Sequence, residues 1–167
     1  MAILKELIQK VKGSPLGFNM DEAMIGEHQF AFGEGPEGRY PFRFDITWGP
    51  EDLTEWLNPN SGGFLSHPFS GTVTAGALCD HAPCEGRMEL RYFKDYTIRY
   101  DFRFRAHDKT YRFLGEKVNI KPWNLPFSHT TCFGTVVEEE TGKLVSRSIT
   151  HFKVSMSFSF LSSLRLT

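Results

Sequence analysis

Three side chains in the second half of the sequence have the chemistry of a general acid or base. Glu116 directly follows Gly115 in an apolar stretch, and a carboxyl group drawn into apolar surroundings has a raised pKa and can move protons. His129 lies at the start of the predicted strand 130–138 and His151 lies within the predicted strand 144–158, and an imidazole titrates near neutral pH. If the strands aim these side chains inward, they form an acid–base site. The alternative for Glu116 is a surface position beside Lys117, and for the histidines a surface or structural role.

Aromatic side chains form a second group, with the chemistry of an apolar binding surface. The chain has 16 Phe, and aromatic residues make up 14% of it, which is typical of side chains that fill a sheet or line an apolar pocket. The loop 119–128 contains two prolines, and we expect it to fold over one barrel end as a ligand-contacting lid or a static plug. The residues expected to contact an apolar ligand are Tyr100, Phe102, Phe104, Phe113, Trp123, Phe127, Phe133 and Phe152.

The remaining reactive residues form no complete cofactor or metal motif. Cys79, His81 and Cys84 are metal-ligand types, but a structural zinc site needs four ligands and no second pair follows. A polar turn with ordinary cysteines is the favoured interpretation, and no metal is expected. The sequence also lacks a Walker loop, a Gly-x-Ser-x-Gly elbow and a His-Glu-x-x-His pair. We therefore expect no cofactor.

The elements that position these residues are predicted to be mainly β-strands. In the clearest example, Ile98, Tyr100, Phe102 and Phe104 alternate with charged residues, so one strand face is apolar, and Phe42, Phe44 and Ile46 alternate in the same way. Short turns leave antiparallel neighbours as the reasonable pairing, and about eight strands are enough to close a sheet. The fold class is thus an antiparallel, calycin-like β-barrel, with a half-open sheet wrapped on the N-terminal helix as the alternative. The predicted strands cover 29–32, 40–48, 69–78, 86–93, 97–107, 110–120, 130–138 and 144–158.

Two short helices are predicted beside the strands. Apolar residues at 3–11 recur on one helical face, and the Gly-Ser-Pro of 13–15 ends the pattern. This N-terminal helix would cap a barrel end or cover a sheet edge, with partner binding as the alternative. The segment 50–57 starts with Pro and acidic residues and predicts a short helix between early strands.

Size and composition indicate one globular domain spanning 1–167. With 40% hydrophobic residues, 23% charged residues and a net charge of −1, the chain offers no electrostatic basis for nucleic-acid binding. Three cysteines are too few and odd in number for a disulfide framework, which favours a reducing compartment. We expect a cytoplasmic protein without a signal peptide or membrane span.

Several segments together resemble a known family. The residues are 111–117, Trp123, 130–136, 158–161 and 164–165, together with 69–73 and 86–90. They resemble the β-rich region ahead of the flavin-binding part of some large cholesterol-oxidase-like (GMC-type) oxidoreductases. The strand count also resembles calycin barrels, which include lipocalins and fatty-acid-binding proteins. The resemblance transfers no functional residues, and the flavin domain is missing. It implies a barrel associated with sterol- or lipid-like substrates, alone or beside a partner oxidoreductase.

Three hypotheses for function follow. The first is binding of a small lipophilic molecule, of sterol, fatty-acid, polyketide or terpenoid type, in a barrel cavity. The second is a cofactor-independent isomerase, cyclase or dehydratase that acts on such a molecule through Glu116, His129 and His151. The third is an accessory domain that binds a protein partner, either a second copy of the chain or an oxidoreductase.

Overall fold

A computed structural model describes residues 16–121, 131–152 and 165–166. Within these residues the protein is mainly β, and the predicted fold class is confirmed. The strands are β1 (Phe18–Phe30), β2 (Arg39–Trp48), β3 (Ser66–Ala75), β4 (Cys79–Arg91), β5 (Thr97–Ala106), β6 (Lys109–Lys117), β7 (Thr131–Glu138), β8 (Leu144–His151) and β9 (Arg165–Leu166). One short helix, α1 (Leu53–Trp56), lies between β2 and β3.

The sheet closes into a barrel of eight strands. Each strand from β1 to β7 pairs antiparallel with the next in sequence, and β8 pairs back to β1. The two-residue β9 pairs with β1 at Phe18 and Asn19. Closure gives each of the strands β1 to β8 a hydrogen-bonded neighbour on both sides. The half-open sheet considered as an alternative is therefore not the fold.

Some strand boundaries differ from prediction. β1 begins eleven residues before the predicted start at 29, because acidic residues that disfavour strands lie in its first half. β4 begins at Cys79, so the segment interpreted as a polar turn is the first half of a strand. The helix within 50–57 is confirmed, although only four residues are helical. The predicted N-terminal helix and residues 153–158 of the last predicted strand lie outside the described residues.

The middle of the barrel is filled by aromatic rings. Alternation along β5 places Tyr100, Phe102 and Phe104 inside and the intervening charged residues outside. The Phe113 ring stacks on Phe102 at a centroid distance of 4.6 Å and on Phe42 at 5.4 Å. Because these rings contact one another, burial of their apolar surface stabilises the fold directly.

Two facing glycines make room for this aromatic stack. Gly115 in β6 and Gly134 in β7 are cross-strand partners on the inner face. A Cβ atom added at Gly115 would lie 2.5 Å from the Phe113 ring, and one at Gly134 would lie 2.3 Å from it. The Phe113 ring therefore packs directly against the backbone of both glycines. Gly115 allows this close approach without interrupting the strand.

The helix α1 lies at one end of the barrel, which we call the α1 end. Asp52 caps the helix, since its carboxylate accepts a hydrogen bond from the Thr54 N–H at 2.8 Å. The backbone N–H of Leu53 donates to the carbonyl of Leu16, and that of Leu65 donates to the carbonyl of Trp56. These bonds fix the helix against the ends of β1 and β3. No helix among the described residues has the length and apolar character to cross a bilayer.

Candidate functional site

A buried ion pair lies inside the α1 end of the barrel. Glu22 points inward from β1 and Lys117 points inward from the last position of β6. Lys117 Nζ lies 2.8 Å from Glu22 Oε1, and both side chains are only 5% exposed. Removing two charges from water carries a free-energy penalty that their attraction only partly offsets, so such a pair is seldom retained for stability alone.

Two further donors satisfy the Glu22 carboxylate. The Tyr100 hydroxyl donates to Oε1 at 2.9 Å, and the Trp48 indole N–H donates to Oε2 at 3.1 Å. Burial alone would raise the pKa of Glu22, but the Lys117 charge and these hydrogen bonds together hold it below its ordinary value. Burial and the Glu22 charge raise the pKa of Tyr100 well above the ordinary range. The site thus holds a carboxylate and a protonated phenol at neutral pH.

His67 lies beside this pair on the inner face of β3. Its ring stacks on Trp48 at a centroid distance of 5.0 Å and meets Trp56 of α1 edge-on at 5.7 Å. The residue is 2% exposed, and among the described residues neither ring nitrogen has a hydrogen-bond partner. The Trp56 indole N–H likewise has no partner within the described chain.

The pKa of His67 is about 4, so its imidazole is neutral at neutral pH. Burial is the main cause, and the charge of solvent-exposed Arg87 adds to it, while Glu22 acts in the opposite direction. A neutral imidazole has one N–H donor and one acceptor nitrogen. We call Glu22, Trp48, His67, Tyr100 and Lys117 the end cluster. It offers a donor, an acceptor and aromatic surface to a bound polar group.

A surface groove lies next to the end cluster. It has a volume of about 1220 Å³ and runs beside α1, and its lining includes Trp48, Trp56, His67 and Phe69. The groove brings solvent close to the aromatic side chains that enclose the end cluster. A ligand entering the α1 end would therefore meet indole surface first and the polar atoms of His67 behind it.

The predicted ligand-contacting residues divide into three groups. Tyr100, Phe102, Phe104 and Phe113 are buried in the barrel, and the half-buried Phe152 packs against the same core. Phe133 faces outward and is 49% exposed, so it does not line the barrel interior. The reason is strand alternation, which turns its neighbour Cys132 inward instead. Trp123 and Phe127 lie outside the described residues.

The predicted acid–base residues do not meet inside the barrel. Glu116 lies on the outer face, where its Oε1 is 2.8 Å from Arg99 Nη2. His151 is exposed, and its Nδ1 lies 3.1 Å from the Thr131 hydroxyl. The predicted inward positions of Glu116 and His151 are therefore wrong, because strand alternation turns both side chains outward. His129 lies outside the described residues. Among the described residues the buried acid is Glu22, and the buried imidazoles are His28 and His67.

The cysteines and the outer surface offer less chemistry. Burial raises the pKa of the Cys84 and Cys132 thiols to about 12, so neither is a thiolate nucleophile at neutral pH. No group of three or more metal-ligating side chains occurs in the described part of the chain. An outer groove of about 1000 Å³ contains Glu116 and Phe133, but its guanidinium groups at Arg99 and Arg112 are already paired with carboxylates. Binding of a protein partner stays a prediction.

Fold and site together define a closed, eight-stranded, up-and-down antiparallel β-barrel with a buried acid–lysine pair at one end. No family model, curated protein or solved structure matches the chain.

Proposed function

We propose that the barrel binds a small lipophilic molecule whose polar group lies against His67 and Trp56 at the α1 end. The observation that carries this proposal is His67, which is 2% exposed with two ring nitrogens that lack partners among the described residues. A buried polar atom without a partner costs roughly 1 to 3 kcal/mol. A ligand that supplies the missing hydrogen bonds would recover that free energy on binding.

The proposed site differs in position from the cavity expected from the sequence. The rings of Phe42, Phe102 and Phe113 occupy the middle of the barrel and contact one another. The apolar body of a ligand would instead contact Trp48 and Trp56, which both pack against His67. Small-molecule sites commonly combine such apolar walls with a few placed polar groups, which matches the composition of this end.

The polar group of the ligand is proposed to be uncharged. The end cluster contains one carboxylate and one ammonium at 2.8 Å, which neutralise each other, and His67 is itself neutral. An added net charge in this buried place would lose its hydration without gaining an unpaired counter-charge. A hydroxyl group can both accept from and donate to a neutral imidazole, and a carbonyl oxygen can accept from its N–H. Lipophilic alcohols and ketones therefore suit the site better than fatty-acid carboxylates.

A second candidate is the cofactor-independent isomerase, cyclase or dehydratase. The observation that favours it is the proximity of a neutral imidazole, an ionised carboxylate and a protonated phenol at His67, Glu22 and Tyr100. The imidazole could accept a proton from a bound carbonyl compound while an N–H or O–H donor stabilises its oxygen. These residues would replace Glu116 and His151, which face solvent.

Native mass spectrometry of the protein as purified from cells tests the binding proposal. We expect a bound lipophilic passenger, released on denaturation, in the wild-type protein. In His67→Phe an aromatic ring is kept but both nitrogens are lost, so the dissociation constant of the passenger should rise at least about ten-fold, as two hydrogen bonds of roughly 1 kcal/mol each imply, and less passenger should co-purify. His151→Phe is the matched control on the outside of the same end and should keep the passenger. Equal occupancy in His67→Phe and wild type would place the ligand elsewhere.

A further inference from the structure

The ring nitrogens of His67 are closed off from solvent in this structure. The residue is 2% exposed, and both nitrogen atoms are buried. Two indole rings contact the imidazole, Trp48 at a centroid distance of 5.0 Å and Trp56 at 5.7 Å. A reagent or a ligand can therefore reach these nitrogens only when a covering group moves.

The two indole rings differ in how firmly they are held. Trp48 belongs to β2, which has a hydrogen-bonded neighbour on both sides, and its N–H donates to Glu22 at 3.1 Å. Trp56 belongs to the four-residue α1, in which no residue is buried. Its ring meets Phe18 and His67 edge-on. Because little apolar surface is lost when α1 moves, Trp56 is the more weakly anchored of the two rings.

The segment 51–62, which contains α1, is hydrogen-bonded largely to itself. Its helix cap and its turns are formed by groups of the segment. The bonds that tie α1 to the neighbouring chain run from the Leu53 N–H to the Leu16 carbonyl at 2.8 Å and from the Leu65 N–H to the Trp56 carbonyl at 2.9 Å. A segment with this bonding can move as a unit when those few bonds open.

The glycines that flank the segment differ in their freedom. A Cβ atom added at Gly62 would meet no atom within 4 Å, so neighbouring atoms do not restrict backbone rotation there. A Cβ atom added at Gly49 would collide with the Phe18 carbonyl, so that end is packed against β1. One end of the segment is thus anchored, and the other can absorb a change of backbone angles as a hinge does.

We propose that the segment 51–62 is a lid that opens the α1 end by lifting Trp56 from His67. In the closed state Trp56 shields the imidazole, and in the open state the imidazole faces the groove of about 1220 Å³ beside α1. Opening breaks the bonds of α1 to Leu16 and Leu65 but none between the barrel strands. The role of the lid in ligand entry rests on the binding site proposed at His67, whereas its opening can be measured without a ligand.

Modification of histidines by diethyl pyrocarbonate, mapped by peptide mass spectrometry, measures the opening in the ligand-free protein. The reagent acylates neutral imidazoles, and His67 is neutral at neutral pH because its pKa is about 4. We expect His67 to react, but more slowly than the exposed His107. His28 is the matched control, since it is also 2% exposed but is not covered by α1, and it should stay unmodified. In Trp56→Ala the His67 rate should rise at least about ten-fold, because access no longer depends on a minor open state.

A reducible disulfide gives a second, independent test. The double variant Leu16→Cys/Leu53→Cys joins two residues whose backbones are hydrogen-bonded at 2.8 Å. Oxidation should lower the His67 rate at least about ten-fold by holding the lid closed, and reduction should restore it. Each sample thus serves as its own control.

Two results would overturn the lid. One is a wild-type His67 that does not react in the time in which His107 reacts completely. The other is a His67 rate that oxidation of the double variant leaves unchanged, because the imidazole would then be reached by another route. The wild-type result decides the question even if a variant fails to fold. Octanol binding is measured separately, so a lid that opens in a protein without octanol affinity would support the lid and contradict the ligand site.

Discussion

Replacement of Lys117 by methionine is expected to lower the free energy of unfolding by about 3 to 5 kcal/mol at neutral pH. Methionine fills a similar volume but leaves Glu22 as a buried carboxylate without its counter-charge. The Tyr100 and Trp48 hydrogen bonds remain, but they do not neutralise it. Equilibrium urea unfolding of the two proteins measures the difference. Lys109→Met is the control, because Lys109 pairs with Glu138 while 53% exposed, and its loss should change stability by less than about 1 kcal/mol.

The pH dependence of the Lys117→Met effect has a definite sign. In the wild-type protein the pKa of Glu22 is lowered in the folded state, so its contribution to stability is present above the ordinary pKa of 4.5 and is lost as the pH falls through the folded value. Without Lys117, burial dominates and raises that pKa, so protonation of Glu22 in acid relieves the unpaired charge. The stability difference between the two proteins should therefore shrink from neutral pH towards acid. A small difference that does not vary with pH would mean that the ion pair is not buried as described.

Substitution of Gly134 by alanine is expected to destabilise the barrel by about 3 kcal/mol, the upper part of the usual range for overpacking. The added methyl group would lie 2.3 Å from the Phe113 ring, and Phe113 has Gly115 on its other flank and Phe102 stacked on its face. The ring cannot move without displacing the aromatic stack. Thermal or urea unfolding measures the loss.

A second-site change separates this steric cause from a general loss of strand flexibility. Phe113→Leu shortens the ring side chain, so in the Gly134→Ala background it should restore part of the lost stability, giving a favourable coupling energy in a double-mutant cycle. Gly62→Ala is the control, since a Cβ there would have no atom within 4 Å and its φ is not in the left-handed region. Additive effects of Gly134→Ala and Phe113→Leu on the free energy of unfolding would contradict a steric contact between residue 134 and the Phe113 ring.

The barrel could be predicted from the sequence because its signal is local. Along β2 and β5 apolar and polar residues alternate regularly, and short turns connect successive strands, so strand number and antiparallel order followed. β1 was predicted too short because Asp21 and Glu22 disfavour a strand by propensity. Glu22, the buried acid of the end cluster, thus also weakens the local strand pattern.

The sequence predicts which side chains of the end cluster point inward, but it does not predict that they lie next to one another. In β6 the phase set by Tyr111 and Phe113 also turns Lys117 inward and Glu116 outward, and Phe69 sets the same phase for His67 in β3. The pairing of Glu22 with Lys117 joins residues 95 positions apart and depends on the register of the closed sheet. The alternation within a single strand carries no information about that register. The sequence therefore predicts an acid–base site at Glu116 and the histidines near the last strands, and not at Glu22 and His67.

Calorimetric titration with octanol is the most direct test of the binding site at the α1 end. We expect saturable binding of one octanol to wild-type protein and to His151→Phe, with affinity reduced at least about ten-fold in His67→Phe. Octanoate and octylammonium, which have the same chain but a net charge, should bind more weakly than octanol to the wild-type protein. Absence of octanol binding to the wild-type protein, or equal octanol affinity in His67→Phe, would contradict a ligand site at His67. Tighter binding of octanoate than of octanol would contradict the uncharged head group.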